Sequence, residues 1–180
     1  MDAIPIRTAR RGDVPSLLLL WSAMLEENAR FDPRLTPHPD ARESAAGSFA
    51  QRVEDPDEVV LVAEDGRVPI GFAAGKVTPG NGFQVPGKLG QITDCYVIPA
   101  RRRRGAGRRL ASRMVDLLVG KGAETIRLQV VVKNAEAEAF WASLGYAPLE
   151  VIFERAIPKP AGTPPAPPPT TPPAVPPTMS

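Results

Sequence analysis

Apolar residues recur at helical spacing in four parts of the chain. The first pattern has apolar side chains three and four positions apart, at Val14, Leu17, Leu18, Trp21 and Leu25. It predicts a helix that begins near Asp13, with Pro15 in its first turn, where proline is favoured. Further helices are predicted over residues 41–53, 107–119 and 137–144, and the last of them ends at the helix-stopping Gly145.

Between these helices the apolar runs change to the spacing of strands. They are rich in β-branched residues and cover residues 3–8, 58–63, 70–77, 92–98, 126–132 and 149–157. Pro5 predicts that the first run is an edge strand, because an edge N–H need not pair. The second and third runs flank a turn that contains Gly66, and they are expected to pair as an antiparallel hairpin. The alternation over residues 126–132 predicts a central strand.

The order of these elements predicts one α/β domain over residues 1–157, with helices covering the faces of a mixed sheet. Prolines and glycines predict loops over residues 31–40 and 79–87. Residues 158–180 differ in composition, since eleven of these 23 residues are proline and only Lys159 is charged. This proline-rich tail is expected to lack a core and to be disordered or polyproline II.

Positive charge is concentrated in one short stretch. The formal net charge is only +2, but residues 101–109 hold six arginines, and the rest of the chain carries 16 basic against 20 acidic residues. A nucleic-acid surface would need basic residues spread over a whole face. The distribution therefore favours one compact anionic ligand and no nucleic acid.

The cysteine count and the hydrophobicity limit the metal sites, the membrane association and the cellular location that can be expected. A single Cys95 and a single His38 allow neither an intrachain disulfide nor a cysteine zinc cluster, and no metal is expected. The most apolar run, Leu17–Leu20, is far shorter than the ~20 residues of a membrane span, so no membrane association is expected. The N-terminus lacks the pattern of a secretory signal, and a cytoplasmic location is predicted.

The arginine-rich stretch joins a predicted strand to a predicted helix. The first N–H groups of a helix have no intrahelical acceptor, and the helix dipole is positive at that end. Glycines such as Gly105 and Gly107 let an anion approach the main chain closely. The turn is therefore predicted to bind a phosphate group, and a diphosphate fits the description.

Three motifs around this turn resemble the GNAT superfamily of N-acetyltransferases. The run from Arg102 to Gly107 matches R-x-x-G-x-G, the acyl-coenzyme A signature of that superfamily. Asp94–Pro99 is similar to the strand before the signature, and Asn134–Tyr146 is similar to the later strand-to-helix segment. The resemblance implies a mixed, mostly antiparallel central sheet flanked by helices. It also implies an acyltransferase (EC 2.3.1) that moves an acetyl group from acetyl-CoA to a primary amine by direct attack in a ternary complex.

The resemblance also assigns residues to the coenzyme. Backbone N–H groups from Arg103 to Arg108 would bind the diphosphate, and arginine side chains would add charge-assisted hydrogen bonds. The strand around Val97 would pair with the pantetheine arm, and the Val97 N–H would polarise the thioester carbonyl. The implied coenzyme contacts are Tyr96, Val97, Ile98, Arg102, Arg103, Arg104, Gly105, Ala106, Gly107, Arg108, Asn134 and Trp141. Asn134 is also a favourable N-cap for the helix after it.

Two residues are predicted to take part in the chemistry. An alkyl amine has a pKa near ~10.4, so a base or a desolvating pocket must provide its neutral form. Asp94 is the predicted base or amine-orienting group, with a structural hydrogen bond as the alternative. The family's usual acid is a tyrosine at the position of Trp141, and indole cannot replace it. Tyr96 or water is expected to protonate the thiolate, unless a thiol of pKa near ~8.5 leaves without help.

The acceptor is the least constrained part of the prediction. Residues 31–49 and 79–87 are expected to line the acceptor side, where Glu26, Glu27 and Asp32 favour a cationic amine. The missing tyrosine leaves a second interpretation open, a non-catalytic acyl-CoA sensor with the same fold. A nucleic-acid binder led by the arginines is a third interpretation, and a homodimer is left open as the assembly.

Overall fold

The computed structural model describes residues 4–80, 87–155 and 157. The chain divides into two units, Met1–Ala147 and Pro148–Ser180. Every helix and strand of the described residues belongs to the first unit. Most of the predicted loop over residues 79–87 and the whole predicted tail over residues 158–180 lie outside the described residues.

The described residues form five strands and four α-helices, which lie close to positions that the sequence predicts. The strands are β1 (Ile6–Thr8), β2 (Glu58–Asp65), β3 (Val68–Pro79), β4 (Lys88–Val97) and β5 (Thr125–Leu128). The helices are α1 (Val14–Phe31), α2 (Ala41–Glu54), α3 (Ala106–Gly120) and α4 (Ala135–Ala142). Short 3-10 turns at Arg11–Asp13, Pro33–Leu35 and Pro99–Arg101 connect them.

The strands make one sheet in the order β1-β2-β3-β4-β5. The first three pairings are antiparallel and the last, between β4 and β5, is parallel. β1 is an edge strand, as Pro5 predicts. The turn between β2 and β3 has φ of 58° at Gly66 and 77° at Arg67, the left-handed conformation that a type I′ hairpin turn requires at both positions. The predicted mixed, mostly antiparallel sheet flanked by helices is confirmed.

The prediction of a central strand over residues 126–132 is wrong. Within the described residues, β5 has only four residues, Thr125–Leu128, and it lies at the edge of the sheet. Its pairing with β4 ends at Ile92 and Leu128, where the two strands separate. Alternation of apolar residues reports one buried face, but it does not say what lies beside a strand, so it could not distinguish an edge strand from a central one.

The predicted strand over residues 149–157 is also absent from the described residues, which have neither helix nor strand from 148 to 155 or at 157. Leu149, Val151, Ile152 and Phe153 are each at least 68% exposed. β-branched side chains pack well on a half-buried, pleated surface. Such a run forms a strand only where the edge of a neighbouring strand is available for pairing.

The sheet separates two apolar layers. On one side, the predicted helical stripe of Leu110, Met114 and Leu118 on α3 is fully buried against the sheet and Trp141 of α4. On the other side, α1 and α2 cover residues such as Phe72 and Tyr96. β4 therefore carries side chains of both layers, and the candidate site lies at its C-terminal half.

Candidate active site

An extra residue in β4 changes which side chains face which layer. Ala74 pairs with Asp94 and Gly75 with Ile92, so Thr93 bulges out of the ladder. A bulge breaks the alternation of faces at that point. As a result, Thr93 and Asp94 both lie within hydrogen-bonding distance of Arg52, which reaches them from α2.

A cleft of about 660 Å³ opens where β4 and β5 separate. Its walls are β4 from Ile92 to Val97, the end of β5 with the three residues after it (128–131), the arginine-rich turn, and parts of α1 and α4. Predicted site residues on its lining are Asp94, Tyr96, Val97, Arg102, Arg103, Gly105, Gly107, Arg108, Asn134 and Trp141. Most of the residues predicted from the sequence are thus brought to one cavity.

The main chain of Val97 presents its polar groups to this cleft. The Ile98 N–H donates to the Ile70 carbonyl, 2.9 Å away on the β3 side. Successive residues of a strand point their N–H and C=O groups to opposite edges. The N–H and C=O of Val97 therefore point away from β3, and the carbonyl accepts a hydrogen bond from Arg102 Nε at 2.9 Å.

The turn before α3 presents a second set of N–H groups. Gly105 is the N-cap of α3 at φ 85°, a left-handed conformation that suits glycine. The backbone N–H of Arg102 donates to the Pro99 carbonyl. The next backbone N–H along the chain that donates to a preceding carbonyl is that of Arg109, which donates to Gly105. N–H groups between these two belong to the turn and first turn of the helix, where no intrahelical acceptor exists. The helix dipole adds positive potential at the same place.

The arginines of the turn have different surroundings. Arg101 and Arg104 lie 3.4 and 3.9 Å from the carboxylate of Asp65, and neither lines the cleft. Arg103 is exposed, has φ of 63° and makes no ion pair within the described residues. Arg108 Nη2 donates to the Ser143 hydroxyl at 3.2 Å. Two other predicted contacts, Ile98 and Ala106, do not line the cleft either, and Ala106 is only 2% exposed in the core.

Arg102 turns inward and contacts three elements. Its Nε donates to the Val97 carbonyl, its Nη2 lies 2.8 Å from the Glu27 carboxylate of α1, and its Nη1 donates to Glu136 of α4 at 3.2 Å. The guanidinium also lies over the Tyr96 ring, 5.5 Å from its centre. This side chain therefore connects α1, β4 and α4 around the cleft.

Asp94 is held by α2 and by its own strand neighbour. Its Oδ2 accepts from Arg52 Nη1 at 3.2 Å and from the Thr93 hydroxyl at 2.8 Å. Arg52 Nε also donates to Glu58 at 2.8 Å. Burial by itself would lower the pKa of Arg52, but the hydrogen bond to Glu58 and the charge of Asp94 raise it above its usual value. Arg52 is therefore a permanent cation, and Asp94 faces the cleft as half of an ion pair.

The Tyr96 hydroxyl points to the α1 side of the cleft. It donates to Glu27 Oε2 at 3.3 Å. Burial raises the pKa of Tyr96, and the nearby charge of Glu27 raises it further. The phenol therefore stays protonated at neutral pH and keeps a proton that it can donate.

With this geometry established, comparison with known proteins identifies the family. The model of the acetyltransferase (GNAT) family matches residues 21–146. The chain belongs to this family. The matched residues include the whole of β4 and the turn before α3.

Two relatives and one solved structure illustrate the similarity of this GNAT chain. A mycothiol acetyltransferase of Nocardioides sp. is 31% identical over 120 residues, which are 61% of this chain and 41% of that protein. The chain thus spans less than half the length of that relative. Glucosamine 6-phosphate N-acetyltransferase 1 of Oryza sativa is 32% identical over 119 residues, 63% of this chain and 68% of that protein. A predicted acetyltransferase with acetyl-CoA from Clostridium acetobutylicum has the same fold, with TM-score 0.70, 18% identity, and coverage of 86% and 96%.

In this GNAT chain, the position where the resemblance implies a tyrosine is part of the core. Trp141 is 8% exposed, and its ring makes edge contacts with Phe140 and Tyr146 at centroid distances of 5.0 and 5.2 Å. The side chain of Asn134 accepts from the Ala137 N–H at 3.0 Å, so the predicted N-cap of α4 is observed. Both residues also line the cleft.

Three residues at the site were not found from the sequence. Arg52 belongs to a helix whose pattern carries no sign of a site. Glu136 lies in the segment that resembles the family, but nothing in the sequence marks it as a partner of Arg102. Thr93 is displaced by a bulge that no local motif indicates. Within the described residues, no cluster of three His, Cys, Asp or Glu side chains could hold a metal ion. Also within them, no helix is both long and apolar enough to span a membrane.

Proposed function

We propose that this GNAT protein is an N-acetyltransferase that moves an acetyl group from acetyl-CoA to a primary amine by direct attack in a ternary complex. One observation carries the proposal. Two sets of backbone N–H groups, at the start of α3 and at Val97, face the same cleft. Acetyl-CoA has the two matching acceptors, a diphosphate and a thioester carbonyl, joined by an extended arm.

The turn fits the diphosphate end. N–H groups from Arg103 to Arg108 would donate to phosphate oxygens in the positive potential of the helix terminus. A Cβ at Gly107 would lie 3.5 Å from the Phe140 ring, an ordinary contact. The protein itself therefore does not demand glycine there, whereas close approach of a phosphate to the main chain does. Arg103 and Arg108 line the cleft and would add charge-assisted hydrogen bonds.

The edge of β4 fits the acyl arm. Its pairing with β5 stops at Ile92, so the main chain from Thr93 to Val97 faces the cleft. An extended amide-containing arm can add to such an edge as a further strand. The Val97 N–H would then donate to the thioester oxygen and stabilise the negative charge that develops there.

Two polar side chains of β4 fit the amine. The attacking nitrogen forms the new N–C bond as the C–S bond breaks, and an alkyl ammonium loses two protons overall, one to the sulfur and one to solvent. Asp94 would orient the incoming ammonium or accept its proton, and its pairing with Arg52 favours the orienting role. Tyr96 keeps its proton and would donate it towards the sulfur.

The proposal is tested with a panel of amines incubated with the protein and acetyl-CoA. The panel covers amino sugars and their phosphates, aminoglycosides, polyamines, amino acids and peptide N-termini. Release of free coenzyme A thiol and a product heavier by one acetyl group are expected with at least one acceptor. Acetyl-CoA binding without thiol release across the whole panel would contradict an enzymatic role.

A non-catalytic acyl-CoA sensor is the second candidate. It is favoured by one observation, the buried Trp141 at the position of the expected acid. It predicts acetyl-CoA binding with no product from any acceptor. The same panel therefore separates the two functions.

A further inference from the structure

We propose that Arg102 is a positioning residue for the reacting end of the cleft and does not bind the diphosphate. This inference rests on the proposed function, since it assigns a role within that site. The signature motif places Arg102 first among its residues and suggests a coenzyme contact. The surroundings of the side chain point elsewhere.

The Arg102 guanidinium is anchored to the protein through all three of its nitrogens. A guanidinium has five N–H donors in a fixed planar arrangement. Each of its three nitrogens has a partner here, namely the Val97 carbonyl at 2.9 Å, Glu27 at 2.8 Å and Glu136 at 3.2 Å. Its backbone N–H donates to Pro99 at 3.1 Å. Three of the five donors are thus used within the protein, and the two carboxylates hold the guanidinium at the reacting end of the cleft.

The partners of Arg102 are the groups that the reaction uses. Val97 carries the N–H proposed to polarise the thioester, and fixing its carbonyl fixes the orientation of that strand segment. Glu27 accepts from the Tyr96 hydroxyl, and the guanidinium lies over the Tyr96 ring. Without Arg102, Glu27 would lose its counter-ion beside that hydroxyl, and α1, β4 and α4 would lose a common contact.

Arg103 and Arg108 differ from Arg102 and serve as matched controls. Arg103 is exposed on the cleft and makes no ion pair with described residues. Among the described residues, the Arg108 guanidinium has one hydrogen-bond partner, the neutral Ser143 hydroxyl. These two guanidinium groups can turn to a phosphate without separating an ion pair.

Binding of 3′-phosphoadenosine 5′-diphosphate, the phosphate-bearing fragment of coenzyme A, measures the first half of the proposal. By calorimetry, Arg102→Gln is expected to bind it within about twofold of wild type, whereas Arg103→Gln and Arg108→Gln each weaken binding about fivefold or more. Arg102→Lys, which retains one charge, replaces Arg102→Gln if the latter does not fold. Weakening in the Arg102 variant equal to that in Arg103→Gln would overturn the inference. Failure of wild type to bind both the fragment and acetyl-CoA would instead overturn the proposed function.

Steady-state kinetics with an acceptor from the panel test the second part of the proposal, that Arg102 positions the reacting groups. Arg102→Lys is expected to lower kcat by about tenfold or more with little change in the KM for acetyl-CoA, because a misplaced reacting group slows chemistry more than donor binding. Lysine cannot reproduce the planar fork that reaches three partners. The double variant with Glu27→Gln is expected to lose less than the product of the two single losses. A raised KM for acetyl-CoA at unchanged kcat, or fully multiplicative losses, would overturn the inference.

Discussion

Arg52 on α2 and Asp94 on β4 form an ion pair at 3.2 Å, 42 positions apart in the sequence. The same guanidinium lies 2.8 Å from Glu58, and both carboxylates are less than 15% exposed. One cation therefore holds two acidic side chains together beneath α2. The pair also supports the proposed orienting role of Asp94, since it holds that carboxylate in place at the cleft.

Replacing Arg52 by Gln is expected to destabilise the fold. Removing the cation leaves the charges of Asp94 and Glu58 uncompensated. Because these side chains are only partly buried, the expected loss is about 1–2 kcal/mol of unfolding free energy. Urea denaturation measures it. The control is Arg42→Gln on an exposed position of the same helix, which should change stability by less than about 0.5 kcal/mol. Equal losses in the two variants would show that the ion pair contributes nothing specific.

Gly71 is predicted to tolerate no side chain. A Cβ there would lie 2.6 Å from the Tyr96 carbonyl oxygen and 2.9 Å from Val97 Cγ2. Gly71→Ala would push β4 away from β3 at the proposed oxyanion donor, at a cost of about 1–3 kcal/mol. It should also weaken acetyl-CoA binding, since the β4 edge moves.

The control for Gly71 is a glycine with open space around it. A Cβ at Gly47 in α2 would meet no atom within 4 Å. Gly47→Ala should therefore raise stability by about 0.5–1 kcal/mol, as alanine favours a helix over glycine. Thermal and urea unfolding of both variants check the opposite signs. A Gly71→Ala protein as stable as wild type would refute the close approach of the two strands.

Much of this architecture could be predicted from the sequence, because it depends on local patterns. The stripe of Leu110, Met114 and Leu118 needs only a helical period, and Gly66 needs only a hairpin turn. The turn before α3 is likewise encoded by its own residues, since an N-cap glycine and a second glycine follow four arginines. These features required no knowledge of distant parts of the chain.

The rest depends on contacts between distant residues. No pattern near Asp94 indicates that Arg52 reaches it, and the Thr93 bulge is defined only by the register with β3. The six arginines look alike in the sequence, yet Arg102 is committed to Glu27, 75 positions away, while Arg103 is exposed. The edge position of β5 is also a property of its neighbours.

Cys95 is predicted to react slowly in the native protein. Burial raises the pKa of its thiol to about 12, with the charge of Asp94 acting in the same direction. A raised pKa leaves less thiolate at any pH below it, and the thiolate is the nucleophile. Alkylation by iodoacetamide at pH 8 should therefore be roughly tenfold or more slower than in the urea-unfolded chain, and it should accelerate as the pH rises towards 12. Equal rates in the two states would contradict a raised pKa at this partly buried thiol.

Acetyl-CoA should slow that alkylation further. Cys95 lies on the stretch of β4 that faces the cleft, so an acyl arm along this edge would cover it. The measurement compares native rates with and without acetyl-CoA, and adenosine monophosphate is the control nucleotide. Equal alkylation rates with and without acetyl-CoA would show that the acyl arm does not lie along this edge.

The turn at Gly105–Gly107 is proposed to bind the diphosphate of acetyl-CoA, and calorimetry with acetyl-CoA tests this assignment most directly. Three proteins are compared, wild type, Gly107→Trp and Gly120→Trp, the last placing the same indole at the far end of α3, where a Cβ would meet no atom within 4 Å. Circular dichroism confirms that each is folded. Wild type and Gly120→Trp should bind with equal affinity, and Gly107→Trp should bind at least about tenfold more weakly, because the indole blocks approach to the N–H groups. Equal affinity in all three proteins would contradict the assignment.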